Sequence, residues 1–176
     1  MSLDDPERLR GRLAAERLDA RVNEPVQQHV ADLRALVDAA CEDLRNRRPE
    51  IQLDNLGAMS PALVDVAPTE LRRCIENLIT NAQRYAARRI TVRLEYSFAT
   101  ASVTVEDDGP GLPTLKAYAQ AWNPARGLPA DRKSGSGRGL SIVRQIVDRY
   151  GGRVTAGRSA LGGAAFGFSL PVVAPS

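Results

Sequence analysis

Glu76-Asn77-Leu78-Ile79-Thr80-Asn81-Ala82-Gln83-Arg84-Tyr85 lies within a longer helical pattern that runs from Pro68 to Ala86. At about 100° per residue, Leu71, Ile75, Leu78 and Ala82 share one stripe, which predicts a helix with an apolar face against a core. Asn77, Asn81 and Arg84 follow at i, i+4 and i+7 on a neighbouring stripe, and Tyr85 borders it. Two carboxamides, a guanidinium and a phenol beside a buried face are either a solvated surface or one wall of a site. The helix alone does not separate these readings.

Composition narrows the classes. The chain has 176 residues, 43% hydrophobic and 26% charged, as expected of a soluble globular domain with at most a short appendage. Aromatic residues make up only 5%, so the core must be mostly Leu, Val, Ile and Ala. Cys41 and Cys74 both fall in helical patterns without a Cys or His at metal-ligand spacing, which points to ordinary buried thiols and an intracellular protein. No apolar run approaches the roughly 18 residues a membrane span requires, and the first residues lack a signal pattern. The chain by itself is therefore expected to be cytoplasmic, without membrane contact. Its net charge is +3, but the basic residues are spread along the chain rather than gathered with aromatics. That disfavours nucleic acid as a partner and suits a pocket for a phosphorylated ligand.

Outward from the helix, the elements alternate in type. Asp4 to Arg21 predicts an Arg-rich helix with a thin stripe of Leu9, Leu13 and Leu18, broken at Asn23-Glu24-Pro25. It resembles one leg of a bundle cut short, which sets a boundary between residues 1–22 and 23–176. Val26 to Val30 is a candidate strand, and Asp32 caps a helix carrying Leu33, Leu36, Val37, Ala40 and Leu44. Ile51 to Leu53 alternates as a strand, Asn55 to Ser60 is expected to turn, and Leu63 to Val66 is another short strand. Ile90 to Phe98 and Ala101 to Glu106 form a hairpin turned near Ala99-Thr100. Gly109 to Gly137 is rich in Gly and Pro and lacks periodicity, as lids and binding loops do. Leu140 to Tyr150 is a helix closed by Gly151-Gly152, and Val154 to Ala156 and Phe166 to Val172 are the last strands. This order predicts an α+β fold: a two-layer sandwich whose mixed, mostly antiparallel sheet is covered on one face by three helices.

Two glycine-rich stretches bracket the long loop. Asp107-Asp108-Gly109-Pro110-Gly111 ends a strand, where a carboxylate can accept a hydrogen bond from an exocyclic amine and Gly109 and Gly111 allow close backbone approach. The alternative is an ordinary acidic turn. Gly135-Ser136-Gly137-Arg138-Gly139-Leu140 opens a helix, whose free N–H groups and dipole favour phosphate, with Lys133 and Arg138 adding charge. No strand precedes it, and it lacks the Gly-Lys-Ser/Thr of a P-loop, so neither a Rossmann nor a P-loop site fits. The alternative is a linker.

Together, in order, these stretches resemble the ATP-binding catalytic domain of sensor histidine kinases, in the superfamily that also holds DNA gyrase B, the Hsp90 chaperones and MutL. Asn77 to Tyr85 is similar to the N box, Val105 to Leu112 to the first glycine box, and Gly135 to Leu140 to the second. Gly162-Gly163-Ala164-Ala165-Phe166 is similar to the last glycine turn. The similarity covers roughly Pro25 to Val173 and implies the Bergerat-type ATP-binding fold.

The resemblance implies ATP and Mg²⁺ as ligands and assigns roles. Asn81 would coordinate Mg²⁺. Asn77 would lie near the phosphates, an amide where gyrase-like relatives carry a water-activating glutamate. Arg84 would pair with a phosphate, and these two would serve catalysis. Tyr85 would pack on the adenine side and Asp107 would read the adenine amine, with Gly109 and Gly111 beside it. Lys133, Gly135, Ser136 and Gly137, then Arg138, Gly139 and Leu140, would hold the phosphates. The implied partners are a dimerisation domain bearing the phosphoacceptor, part of a longer receptor anchored in the cell membrane, and a response regulator. The chain departs from the pattern in three places: Arg138 replaces a usual Leu, Ala164 and Ala165 stand where a Thr is common, and only Tyr118, Trp122 and Arg126 answer to the Phe-rich lid motif. The single histidine, His29, is followed by Val30 and is expected to be half-buried and structural rather than an acceptor. Alternatives are a protein-serine kinase of the same superfamily and a non-catalytic nucleotide-binding domain.

Overall fold

A computed structural model describes residues 29–57, 60–123 and 138–173. The expected helix from Asp4 to Arg21, the start of the strand at Val26, and Arg126 lie outside these residues. The elements are β1 (Val30–Asp32), α1 (Leu33–Arg47), β2 (Gln52–Gly57), β3 (Leu63–Asp65), α2 (Pro68–Tyr85), β4 (Arg89–Tyr96), β5 (Thr100–Asp107), α3 (Leu115–Gln120), α4 (Gly139–Arg149), β6 (Arg153–Arg158) and β7 (Ala164–Pro171).

Asp32 shows how local chemistry sets an element boundary. Its carboxylate accepts from the N–H of Arg34 at 2.9 Å and so caps α1. The same oxygen accepts from Ala62 at 3.1 Å and fixes the approach to β3. Leu33, Val37, Cys41 and Leu44 form the buried stripe of α1. In α2, Pro68 occupies the first turn and the buried stripe is Leu71, Cys74, Ile75, Leu78, Ile79 and Ala82. Each fully buried Leu, Ile or Val contributes about 1.5–3 kcal/mol of transfer free energy.

The main sheet has the order β2-β4-β5-β7-β6. β2 lies parallel to β4 and the other pairs are antiparallel. β1 and β3 form a separate antiparallel ribbon, joined to the end of β7 by a bridge between Val64 and Val172. Helices α1, α2 and α4 lie side by side, α1 on α2 and α2 on α4, and their stripes share one core with the sheet. The α+β sandwich with a mostly antiparallel sheet is therefore the fold.

Contacts at both ends fix α4 against α2. The Tyr150 hydroxyl donates to Glu70 Oε2 at 2.6 Å and Arg149 Nη1 reaches Glu70 Oε1 at 2.5 Å. The hydrogen bond to Glu70 raises the Tyr150 pKa. These contacts hold the end of α4 at the start of α2, while Gly139, at the start of α4, lies against Asn77 in the middle of α2. The two helices thus run antiparallel.

Three sequence expectations are corrected. Asn55 to Gly57 continue β2 instead of turning, paired with Val92 to Leu94. The Gly- and Pro-rich stretch after β5 contains a helix, α3, capped by the Thr114 hydroxyl accepting from Ala117 at 3.1 Å. His29 is exposed rather than half-buried, and its backbone N–H donates to Asp65 Oδ1 at 3.0 Å. The thiols do conform: both are buried and unpaired. Burial pushes Cys41 up to about 11 and Cys74 up to about 12, so neither carries thiolate at neutral pH. Native protein should therefore resist a disulfide thiol reagent that modifies both cysteines at once in denaturant. Fast modification of the native chain would mean that α1 and α2 separate readily.

Candidate functional site

The strand β5 ends on two adjacent carboxylates with opposite duties. Asp108 turns back to the α2–β4 connection, where it accepts from Ala87 at 2.8 Å and Arg88 at 3.1 Å. Burial opposes its ionisation, but the backbone donors of Arg89, Arg88 and Ala87 outweigh that and lower its pKa. Asp107 points the other way and is 1% exposed. Its Oδ1 accepts from Gly109 at 2.9 Å and from Ala164 at 3.2 Å. Both bonds fall on Oδ1, which leaves Oδ2 for a donor in the cleft. Desolvation raises the Asp107 pKa despite these two backbone donors.

Asp107 closes a cleft of about 140 Å³ lined by Asn81, Tyr85, Pro110, Gly111, Leu112, Ala164 and Phe166. One wall comes from α2, one from the segment after β5 and the floor from β7. A wider groove of about 600 Å³ between α1 and α2 is lined by residues such as Asp43, Arg47, Arg72 and Glu76, but no glycine brings backbone close to it. Glycines crowd the small cleft. A Cβ on Gly109 would lie 2.3 Å from the Tyr85 carbonyl oxygen, and Gly111 has φ +64°. A Cβ on Gly163 would lie 2.3 Å from Asp107 Oδ1.

The described candidate residues from the sequence fall into three groups. Asn81, Tyr85, Asp107 and Gly111 line the cleft together, and Gly109 abuts Asp107. Asn77, Arg138, Gly139 and Leu140 gather at the start of α4. There Asn77 Nδ2 donates to the Arg73 carbonyl at 2.8 Å, and a Cβ on Gly139 would meet Asn77 Oδ1 at 2.8 Å. Leu140 is buried in the core, so only its backbone is available to a ligand. Arg138 is exposed at the N-cap of α4, which has no side-chain cap, so the helix keeps first-turn N–H groups for an anion. Arg84 is exposed on the last turn of α2, outside the lining of the cleft. Lys133, Gly135, Ser136 and Gly137 lie outside the described residues.

Gly163, Ala164, Phe166 and Tyr118 belong to the site as well. The Gly162-Gly163 pair before a closing strand was the available signal for the first two. Tyr118 had none beyond its place in the degraded lid motif, yet it is 1% exposed behind the cleft. Its ring lies 6.1 Å from that of Phe166, and Trp122 meets the same ring edge-on at 5.5 Å. Among the described residues no His, Cys, Asp or Glu cluster could hold a metal by itself, and no helix is long and apolar enough to cross a membrane.

Residues 66–174 match the family described as histidine kinase-, DNA gyrase B- and HSP90-like ATPase. The chain belongs to this family. It resembles the sensor-type histidine kinase PrrB of Mycobacterium leprae, at 31% identity over 93% of this chain and 36% of that protein. It resembles the two-component sensor PhoQ of Pseudomonas aeruginosa at 34% identity over 79% of this chain and 31% of that protein. The chain thus spans about a third of the length of these curated relatives. Among solved structures, the mycobacterial sensor histidine kinase MprB superposes with a TM-score of 0.70 at 27% identity, over 82% of this chain and 97% of that one. The histidine kinase domain of the E. coli osmosensor EnvZ gives 0.63 at 30% identity, over 88% and 94%. The likeness to ATP-binding catalytic domains of sensor histidine kinases, seen first in the three motifs, holds for sequence and fold alike.

Proposed function

We propose that this chain is the Mg·ATP-binding catalytic part of a two-component sensor histidine kinase and supplies the γ-phosphate to a histidine on a dimerisation domain. One juxtaposition carries this reading: Asn81 and Asp107 share a cleft on α2, next to the uncapped start of α4 against which Asn77 rests. Asp107 Oδ2 would accept from the adenine amine, and Tyr85 and Phe166 would flank the base. The first turn of α4 and Arg138 would hold phosphate oxygens. Arg84 and residues 133–137 complete the phosphate side of the proposal.

Asn81 fits a magnesium ligand. Its amide has no hydrogen-bond partner among the described residues, and one neutral oxygen is enough where phosphates and water provide the rest. The bound ion would supply charge neutralisation. Asn77 cannot act as a base toward water, because its carboxamide has no proton-accepting group of useful strength. The site therefore favours handing the phosphoryl group to an external nucleophile. His29, exposed ahead of β1, is not that nucleophile in this reading. The proposed arrangement assigns residues 1–22 to the end of a dimerisation helix and 23–176 to the catalytic domain, on the cytoplasmic side of a membrane-anchored receptor that signals to a response regulator.

The test is transfer. With labelled ATP and Mg²⁺, the chain should phosphorylate an added dimerisation domain bearing a histidine, as acid-labile phosphate, and should not label itself. Asn81→Ala should lose the Mg²⁺-dependent part of ATP binding and abolish transfer. Full transfer by that variant would remove Asn81 from the metal site. Acid-labile label on the chain alone would contradict the external acceptor.

A further inference from the structure

One hydroxyl behind the cleft holds two of its walls. Tyr118 Oη accepts from the N–H of Leu112 at 2.9 Å and donates to the carbonyl of Gly163 at 3.3 Å. Leu112 lines the cleft. The Gly163 carbonyl and the Ala164 N–H are the two ends of a single peptide unit, and that N–H donates to Asp107 Oδ1 at 3.2 Å. The hydroxyl grips one end of the peptide plane whose other end grips the carboxylate. The Gly163 carbonyl also accepts from Ser159 at 3.0 Å, so two donors fix the plane and polarise it, which strengthens its N–H as a donor. Gly111 is part of the same arrangement, since a Cβ there would meet Tyr118 Oη at 2.8 Å. Nothing larger than glycine leaves room for this hydroxyl.

We infer that Tyr118 is a positioning residue for nucleobase selection: through the Gly163–Ala164 peptide it fixes the Asp107 carboxylate at the angle that accepts the exocyclic amine. The inference rests on the proposal that Asp107 reads adenine. A phenylalanine here would fill the same space against Phe166 but would leave Leu112 N–H without its acceptor and the peptide plane with one donor instead of two. The carboxylate loses definition, while the phosphate side, formed by other elements, is untouched. The effect must therefore depend on whether the base carries an amine.

Two nucleotides separate this role from a packing role: ATP, and purine riboside triphosphate, which lacks the amine. Calorimetric titration of the wild-type chain should show ATP binding about 10- to 100-fold tighter, as expected for a hydrogen bond to a charged group. Tyr118→Phe should lose about three- to tenfold in ATP affinity, the scale of one neutral hydrogen bond. It should bind the amine-free nucleotide within about twofold of wild type, so the ratio between the two contracts. Trp122→Phe serves as the control. It reduces packing on Phe166 without touching any of these bonds, and should lower the melting temperature while keeping the ratio. An unchanged ratio in Tyr118→Phe, whatever happens to both affinities together, would overturn the inference. So would an equal contraction in Trp122→Phe, which would make the role one of packing. A wild-type chain that binds both nucleotides equally would instead overturn the adenine reading of Asp107, and the inference with it.

Discussion

Asp107→Asn is expected to weaken ATP binding about 10- to 100-fold while leaving the protein at least as stable as wild type. The first half rests on the proposed adenine role of Asp107, and both rest on how its carboxylate is held. Oδ1 accepts from Gly109 and Ala164, so the asparagine must keep its carbonyl oxygen there; the flipped amide would aim an NH₂ at two N–H donors. Its nitrogen then takes the place of Oδ2 and would present a donor where the proposed function puts the adenine amine. A hydrogen bond to a charged acceptor, worth roughly 1.5–3 kcal/mol, is lost and replaced by two donors facing each other. Stability responds the other way. Burial raises the Asp107 pKa above its ordinary value of 3.8, so the folded chain favours the protonated form. For this group the stabilising contribution is fully present below about pH 3.8 and is lost as pH rises through the raised folded value. Wherever the wild-type carboxylate is ionised it is also desolvated, and the amide variant lacks that cost. ATP affinity follows the opposite sign, since only the ionised form is a pure acceptor: it should fall on acidification at a higher pH than an ordinary carboxylate would give. Calorimetric titration and thermal melts on both proteins test this. Unchanged ATP affinity in the variant would remove Asp107 from the adenine site.

The elements that were legible in the sequence are those whose own residues meet the core. The stripes of α1, α2 and α4 were visible because burial there recurs every three or four residues over 11 to 18 residues. The hairpin of β4 and β5 was visible because Val92, Leu94, Val103 and Val105 alternate. α3 was not, since six residues with one buried side chain, Tyr118, make no period, and Leu115 on it is 75% exposed. β2 ran on through a stretch with turn composition for a reason that lies outside that stretch. Gly57, at φ +114°, brings its backbone so close to Leu94 that a Cβ would fall 1.8 Å from the Leu94 oxygen. Asn55 spends its amide on Asp38, at 2.7 Å, instead of on a turn. The site divides in the same way. Asn81, Asp107 and Gly111 could be named from local motifs. The Ala164 and Gly163 contacts to Asp107 and Tyr118 span 57 and 45 residues; the pairing of β5 with β7 brings Ala164 to Asp107, and α3 brings Tyr118 to Gly163.

Gly163→Ala should do more damage than a methyl added at any other described glycine of this domain's site. The new Cβ would lie 2.3 Å from Asp107 Oδ1, 2.5 Å from the Asp107 carbonyl oxygen and 2.5 Å from the Gly109 nitrogen. None of these is the free end of a flexible side chain. Two are backbone atoms at the end of β5, and the third is a carboxylate oxygen held by two N–H groups. Relief requires β7 to move away from β5, which stretches the bond from the Gly163 N–H to the Asp107 carbonyl, already 3.2 Å, and carries the Ala164 N–H off the carboxylate. Overpacking of this kind costs about 1–3 kcal/mol, and here the displaced group is the one proposed to read the base. Thermal melting should drop by several degrees and ATP binding should fall below detection by calorimetry, a loss of more than about 100-fold. Gly157→Ala is the matched control on the neighbouring strand: its added Cβ meets nothing within 4 Å, so stability should stay within about 0.5 kcal/mol of wild type and ATP affinity should not change. Wild-type ATP affinity in Gly163→Ala would show that the floor of the cleft yields without cost, and that the backbone behind Asp107 does not set its position.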